Sequence, residues 1–216
     1  MAPALSPEQI IRNQHLALLK KAANAEQKKV IKYFTGCFLT APKDAVYDQM
    51  VSDKLSKLNT RQLALNKIGL DEDQLKEIPD VCLQGFQIDW WKKEVTGFSK
   101  VGKDRRWRSG KYAIVHLFFS ATQVYLYRYS FCMYSDEKKE STEEYFYRDI
   151  TNFSTSSETV QAYAPTCTGG VKVVSSTTNQ FALIVPGDKY YCETQQDIEQ
   201  SVQAMKAKLR EKKNER

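Results

Sequence analysis

The segment Gln123-Val124-Tyr125-Leu126-Tyr127-Arg128-Tyr129-Ser130-Phe131-Cys132 fixes the secondary structure around it. In an extended chain successive side chains point to opposite faces, so Tyr125, Tyr127, Tyr129 and Phe131 share one face and Val124, Leu126, Arg128 and Ser130 the other. A helix would scatter the same four rings around its axis. The segment therefore reads as a strand over about 122–133, with an aromatic face that belongs on the inside of a sheet.

Working outward, short aromatic or β-branched runs bounded by turn residues fill the chain from Val81. Seven strands are expected, near 81–88, 111–119, 122–133, 142–150, 157–164, 171–177 and 180–185. Gly169-Gly170 and Thr178-Asn179 read as turns, and Pro186-Gly187-Asp188 as the end of the last strand. A final amphipathic helix is expected from the capping pattern Thr194-Gln195-Gln196-Asp197, with Ile198, Val202, Met205 and Leu209 as its docking face.

Before Val81 the texture is helical. Ser6-Pro7-Glu8-Gln9 combines an N-cap, a proline at the first helical position and a glutamine placed for a capping box, so a helix is expected from there to about Phe34. Further helices are expected from Pro42, over Thr60–Ile68, and from Asp71 to before Pro79. The chain thus divides into an N-terminal helical region, 1–80, and a β domain with a C-terminal helix, 81–216. The fold class is α+β.

Seven antiparallel strands closed by one amphipathic helix is the element order of the pleckstrin-homology-like (PH-like) fold. Glu143-Glu144-Tyr145-Phe146-Tyr147-Arg148-Asp149-Ile150-Thr151-Asn152-Phe153 resembles an aromatic-then-Asp-Ile pattern of bacterial PH-like domains. The stretch from Gly85-Phe86 through Trp107-Arg108-Ser109 to Val185-Pro186-Gly187-Asp188 resembles a family of uncharacterised bacterial proteins. The resemblance covers about 81–213. It implies a seven-stranded antiparallel barrel or sandwich, with no catalytic residues to carry over. In PH domains that bind phosphoinositides the first inter-strand loop is basic; here Lys103, Arg106-Trp107-Arg108 and Lys111 occupy that connection. Fold alone does not choose a ligand.

The 216 residues carry a net charge of +6, with 42% hydrophobic and 27% charged residues, which is globular rather than disordered composition. Residues 81–205 are balanced, and most of the excess lies beyond them in the last eleven residues. Within the balanced part, 92–111 holds eight basic and two acidic residues, and 136–149 six acidic and three basic. No apolar run approaches the roughly 20 residues needed to span a bilayer. The N-terminus lacks the pattern of a signal peptide. Five cysteines, without any Cys-x-x-Cys pair, read as reduced thiols. A cytoplasmic location is expected, or a peripheral one at a membrane surface.

Gly97-Phe98-Ser99-Lys100-Val101-Gly102-Lys103 has the spacing of a phosphate-binding loop, but Asp104 stands where a magnesium-binding hydroxyl is required and the sequence that follows is poor helix material. His15 and His116 lie far apart with no patterned ligands around them, so neither a metal site nor a catalytic triad is expected. The chain is read as a non-enzyme that needs no cofactor. Two surfaces remain. The first helix offers Ile11, Leu18 and Leu19 to a protein partner or a second copy. The basic loop offers Lys103, Arg105, Arg106, Arg108 and Lys111 to acidic lipid headgroups or nucleic acid, unless its charges are merely solvated or meet the acidic hairpin.

Overall fold

Two capping boxes start the chain. Ser6 accepts from the Gln9 amide and Gln9 Oε1 from the Ser6 amide, opening α1, Pro7–Ala22. The continuous helix expected to Phe34 is interrupted, because Ala23 is extended and Asn24 forms a second reciprocal box with Gln27 at 2.9 and 2.8 Å. The break lets α2, Ala25–Thr35, turn its own face of Gln27, Val30, Ile31 and Tyr33 inward. Asn59, in the left-handed region at φ 39°, joins α3, Asp44–Leu58, to α4, Thr60–Ile68. Of the fourth α-helix expected from Asp71 to before Pro79, Glu72–Leu75 forms a 3-10 turn, and residues 76–79 lie outside the described residues. These positions come from a computed structural model that describes residues 6–36, 40–75, 80–87, 98–165, 171–194 and 198–214.

Nine strands follow among the described residues, not seven, and they form three antiparallel sheets and no closed barrel. The largest sheet has the order β1 (Val81–Phe86), β4 (Lys111–Phe119), β5 (Gln123–Cys132), β6 (Lys138–Phe146). A short hairpin, β2 (Ser99–Val101) and β3 (Trp107–Ser109), interrupts the first connection. The third sheet holds β7 (Asn152–Pro165), β8 (Val171–Val185) and β9 (Asp188–Thr194), and α5, Glu199–Asn214, ends the chain.

Three expectations are corrected by cross-strand partners. Residues 171–177 and 180–185 are one strand, since Thr178 and Asn179 pair with Glu158 and Ser157. Pro186-Gly187 is the β8–β9 turn, with Gly187 at φ 83°, and the strand after it was not anticipated. The fourth expected strand begins earlier, at Lys138, and its last residues form a turn that buries Tyr147 and Ile150.

Both faces of β5 are covered. Tyr127, Tyr129 and Phe131, with Ile114 and Phe118 of β4, pack against Val30, Ile31, Tyr33, Tyr47, Val51, Ala64 and Leu65 of the helices. Val124 and Leu126, with Val115, Leu117 and Phe119, face Phe153, Phe181 and Leu183 of the third sheet and Val202, Met205 and Leu209 of α5. The expected face of the last helix is thus its buried one. The sheet is the middle layer, and the core over its aromatic face crosses the 80/81 boundary. Burying one large apolar side chain contributes about 1.5–3 kcal/mol, so each face adds substantially to stability.

Candidate functional site

The basic loop divides by role. Arg108 is buried, 2% exposed, and donates Nε and Nη2 to the two oxygens of Asp48 at 2.7 Å each, and Nη1 and Nη2 to Asp104 at 2.8 Å. Such a fork satisfies a planar guanidinium. Arg108 was expected to face an external anion; its hydrogen-bonding edge is instead turned onto two carboxylates of its own chain. The same bonds hold the Asp104 carboxyl down at about 2. Asp44 extends the network, accepting from the Lys103 amide at 2.8 Å and the Tyr33 hydroxyl at 2.9 Å. Lys100 donates to the Tyr33 carbonyl at 2.8 Å, and burial lowers its pKa. The hairpin is thereby strapped to α2 and α3.

Lys103, Arg105 and Arg106 are exposed at its turn, where Arg105 takes φ 64°, and Lys111 lies apart from them at the start of β4. Residues 99–103 of the stretch whose spacing resembles a nucleotide loop sit in this hairpin, and Gly97 lies outside the described residues. Trp90, Trp91, Lys92 and Lys93 lie outside the described residues. The acidic 136–149 segment meets other groups: Asp136 accepts from Gln27 at 2.7 Å, and Glu140 approaches Lys67 at 3.8 Å.

The sequence did not reveal a cleft of about 790 Å³ lined by residues of β5, β6 and β9. Its origin is visible in the inter-sheet row of β5, which runs Val124, Leu126 in the core and then changes to Arg128 and Ser130. Their partners on β6, Ser141 and Lys139, are also polar, so the two sheets cannot close an apolar core there. Lys111, Arg128, Lys138, Lys139 and Lys189 line the opening, against the carboxylates Glu137, Glu143 and Asp188. Tyr190, 9% exposed, lies in the wall with the Arg128 guanidinium 6.0 Å from its ring centroid. Burial raises its pKa, so the hydroxyl stays protonated at neutral pH and can donate. Of the five basic residues expected at an anion site, only Lys111 lines this cleft.

A second polar cluster lies under α4. His116 Nε2 is 2.9 Å from Thr60 Oγ1, and Nδ1 is 4.0 Å from Asp80, which accepts from Arg61 at 3.2 Å. Burial lowers the histidine pKa, partly opposed by Asp80. His116 therefore sits neutral in a structural contact. Among the described residues no group of His, Cys, Asp and Glu has a metal-binding arrangement.

The expected partner surface on α1 separates as well. Leu19 packs against the helical core, Leu18 is 65% exposed, and the Ile11 side chain lies outside the described residues. No helix among the described residues is long and apolar enough to cross a membrane. Compared with protein-family models, curated proteins and solved structures, the chain matches none.

Proposed function

We propose that this chain is a non-catalytic binding module that holds an anionic group in the cleft between β5, β6 and β9. The observation that carries the proposal is the convergence of Lys111, Arg128, Lys138, Lys139 and Lys189 on one opening. Three carboxylates share it, leaving two positive charges over, so the cleft suits a compact anion held by directed contacts more than an extended polyanion. Arg128 supplies the bidentate donor and Tyr190 a neutral one.

The PH-like reading supports this proposal. What supports that reading is the run of antiparallel strands ended by a helix; the nine strands among the described residues, in three sheets, depart from the seven-stranded barrel or sandwich that the resemblance implies. Lys111 closes the first inter-strand connection, where related folds hold phosphates. Under this reading the module works in the cytoplasm, free or at the surface of an acidic membrane.

A second reading, a docking surface for another protein, rests on α1, where Ile10 and Leu18 are 44% and 65% exposed. Salt separates the two, since a charge-driven contact weakens as ionic strength rises and an apolar one persists. The direct test is co-sedimentation of the full chain with phosphatidylserine-containing vesicles and, in parallel, competition by inorganic phosphate. Lys138→Gln/Lys139→Gln/Lys189→Gln is expected to abolish binding while Arg105→Gln/Arg106→Gln retains it. The reverse pattern would return the site to the hairpin turn.

A further inference from the structure

β7 and β8 pair along all fourteen residues of β7, from Asn152↔Ile184 to Pro165↔Val171, but β9 borders β8 only from Asn179 to Val185. Beyond that point Glu158–Pro165 and Val171–Thr178 continue as a two-stranded arm, about 26 Å long at roughly 3.3 Å per residue. Among its described side chains, Glu158, Thr159, Gln161, Val173, Ser175 and Thr177 are all exposed, Val173 by 56%. Neither hydrophobic cluster draws a described residue from the arm. Thr159 and Thr177 share a hydroxyl contact of 2.9 Å across it. An isolated two-stranded ribbon is marginal in water.

The outer edge of this arm carries few of the charges that usually protect one. β6, an outer strand of the large sheet, carries Lys138, Lys139, Glu140, Glu143 and Glu144, charges that discourage edge-to-edge pairing. β7, an outer strand of its own sheet, carries a single charge, Glu158 at the root of the arm, and its proline lies at the far end. An acidic or basic partner would find little there to attract it. A strand edge with one charge is, in contrast, compatible with another copy of itself.

We infer that β7 pairs antiparallel with β7 of a second copy, about a two-fold axis that passes beside Gln161, so that Gln161 lies opposite its own copy. In that register Glu158 lies opposite the second copy's Ala164, and the two glutamates are about 20 Å apart at roughly 3.4 Å per residue. That exceeds the screening length of about 10 Å at 0.1 M salt, so the like charges do not oppose association. The contact is isologous and closes at two copies. It joins the two three-stranded sheets into one of six, with backbone hydrogen bonds supplying the adhesion.

Sedimentation velocity on the full chain tests this. The parent is expected to sediment as a dimer that dissociates on dilution. Thr159→Lys/Gln161→Lys gathers four positive charges around the axis and is expected to sediment as a monomer at the same concentration, with an unchanged melting temperature. Mixing it with Thr159→Glu/Gln161→Glu should restore the dimer, which a misfolded variant would not do. A parent that stays monomeric at every concentration, or a lysine variant that dimerises like the parent, overturns the inference. So does a mixture that stays monomeric.

Discussion

Arg108 and Asp48 meet through two bonds of equal length, Nε to Oδ1 and Nη2 to Oδ2, each 2.7 Å, which fasten the β2–β3 hairpin to α3. The guanidinium is buried, whereas the side chains of Asp48 and Asp104 remain 44% and 43% exposed. The arginine is therefore the member that depends on the network, and the carboxylates can fall back on water. The basic loop thus contains a clamp as well as a charged turn.

Arg108→Gln is expected to destabilise the protein by about 2–4 kcal/mol, since it cuts four charge-assisted bonds and leaves a buried amide. Arg105→Gln and Arg106→Gln, at exposed positions, should shift stability by less than about 0.5 kcal/mol. Gly102→Ala should resemble Arg108→Gln, because its methyl group would run into Arg108 Nη1. Urea denaturation of the four variants checks the ranking.

His116 gives the stability curve an acid slope. Its folded pKa lies below the ordinary 6.5, so on acidification the unfolded chain takes up the proton first. The neutral-histidine contribution is complete above pH 6.5 and is lost as pH falls from there through the folded pKa. Asp104 adds a second loss from its ordinary 3.8 down to about 2. His116→Gln should remove the upper slope and keep the lower one, as read by thermal melts across pH.

Val202, 1% exposed on α5, lies among Phe153, Phe181 and Leu183. Val202→Asp would place an unpaired carboxylate there, at an expected cost of about 3–5 kcal/mol. A melting temperature equal to the parent's would contradict the packing of α5 described above.

Much of the fold was legible because burial and periodicity coincide. The two faces of β5 could be read from one decapeptide, and α5 from four spaced apolar residues. The break at Asn24 was encoded as a second Asn-x-x-Gln box, but the apolar residues around it continue on both sides and mask it. β9 was hidden by the charges of Asp188 and Lys189, which line the cleft. The cleft itself joins Arg128, Lys139 and Lys189 from three different strands, which no local pattern brings together. Likewise the role of Arg108 depended on Asp48, sixty residues earlier, which no local motif announces.

The core shared between the helices and the large sheet predicts the behaviour of fragments. Residues 81–216 alone would expose Ile114, Phe118, Tyr127, Tyr129 and Phe131, all now nearly inaccessible. Such a fragment is expected to bind hydrophobic dyes and to melt at lower temperature than the whole chain. A fragment as stable as the parent would show that the helices only rest on the sheet.

The most direct measurement is an NMR titration of the full chain with inorganic phosphate at low ionic strength. The account predicts saturable amide shifts centred on Lys111, Arg128, Lys138, Lys139 and Lys189, weakened by added salt and absent in Lys138→Gln/Lys139→Gln/Lys189→Gln. Shifts centred on Lys103, Arg105 and Arg106, or none that saturate, would contradict an anion site in the cleft.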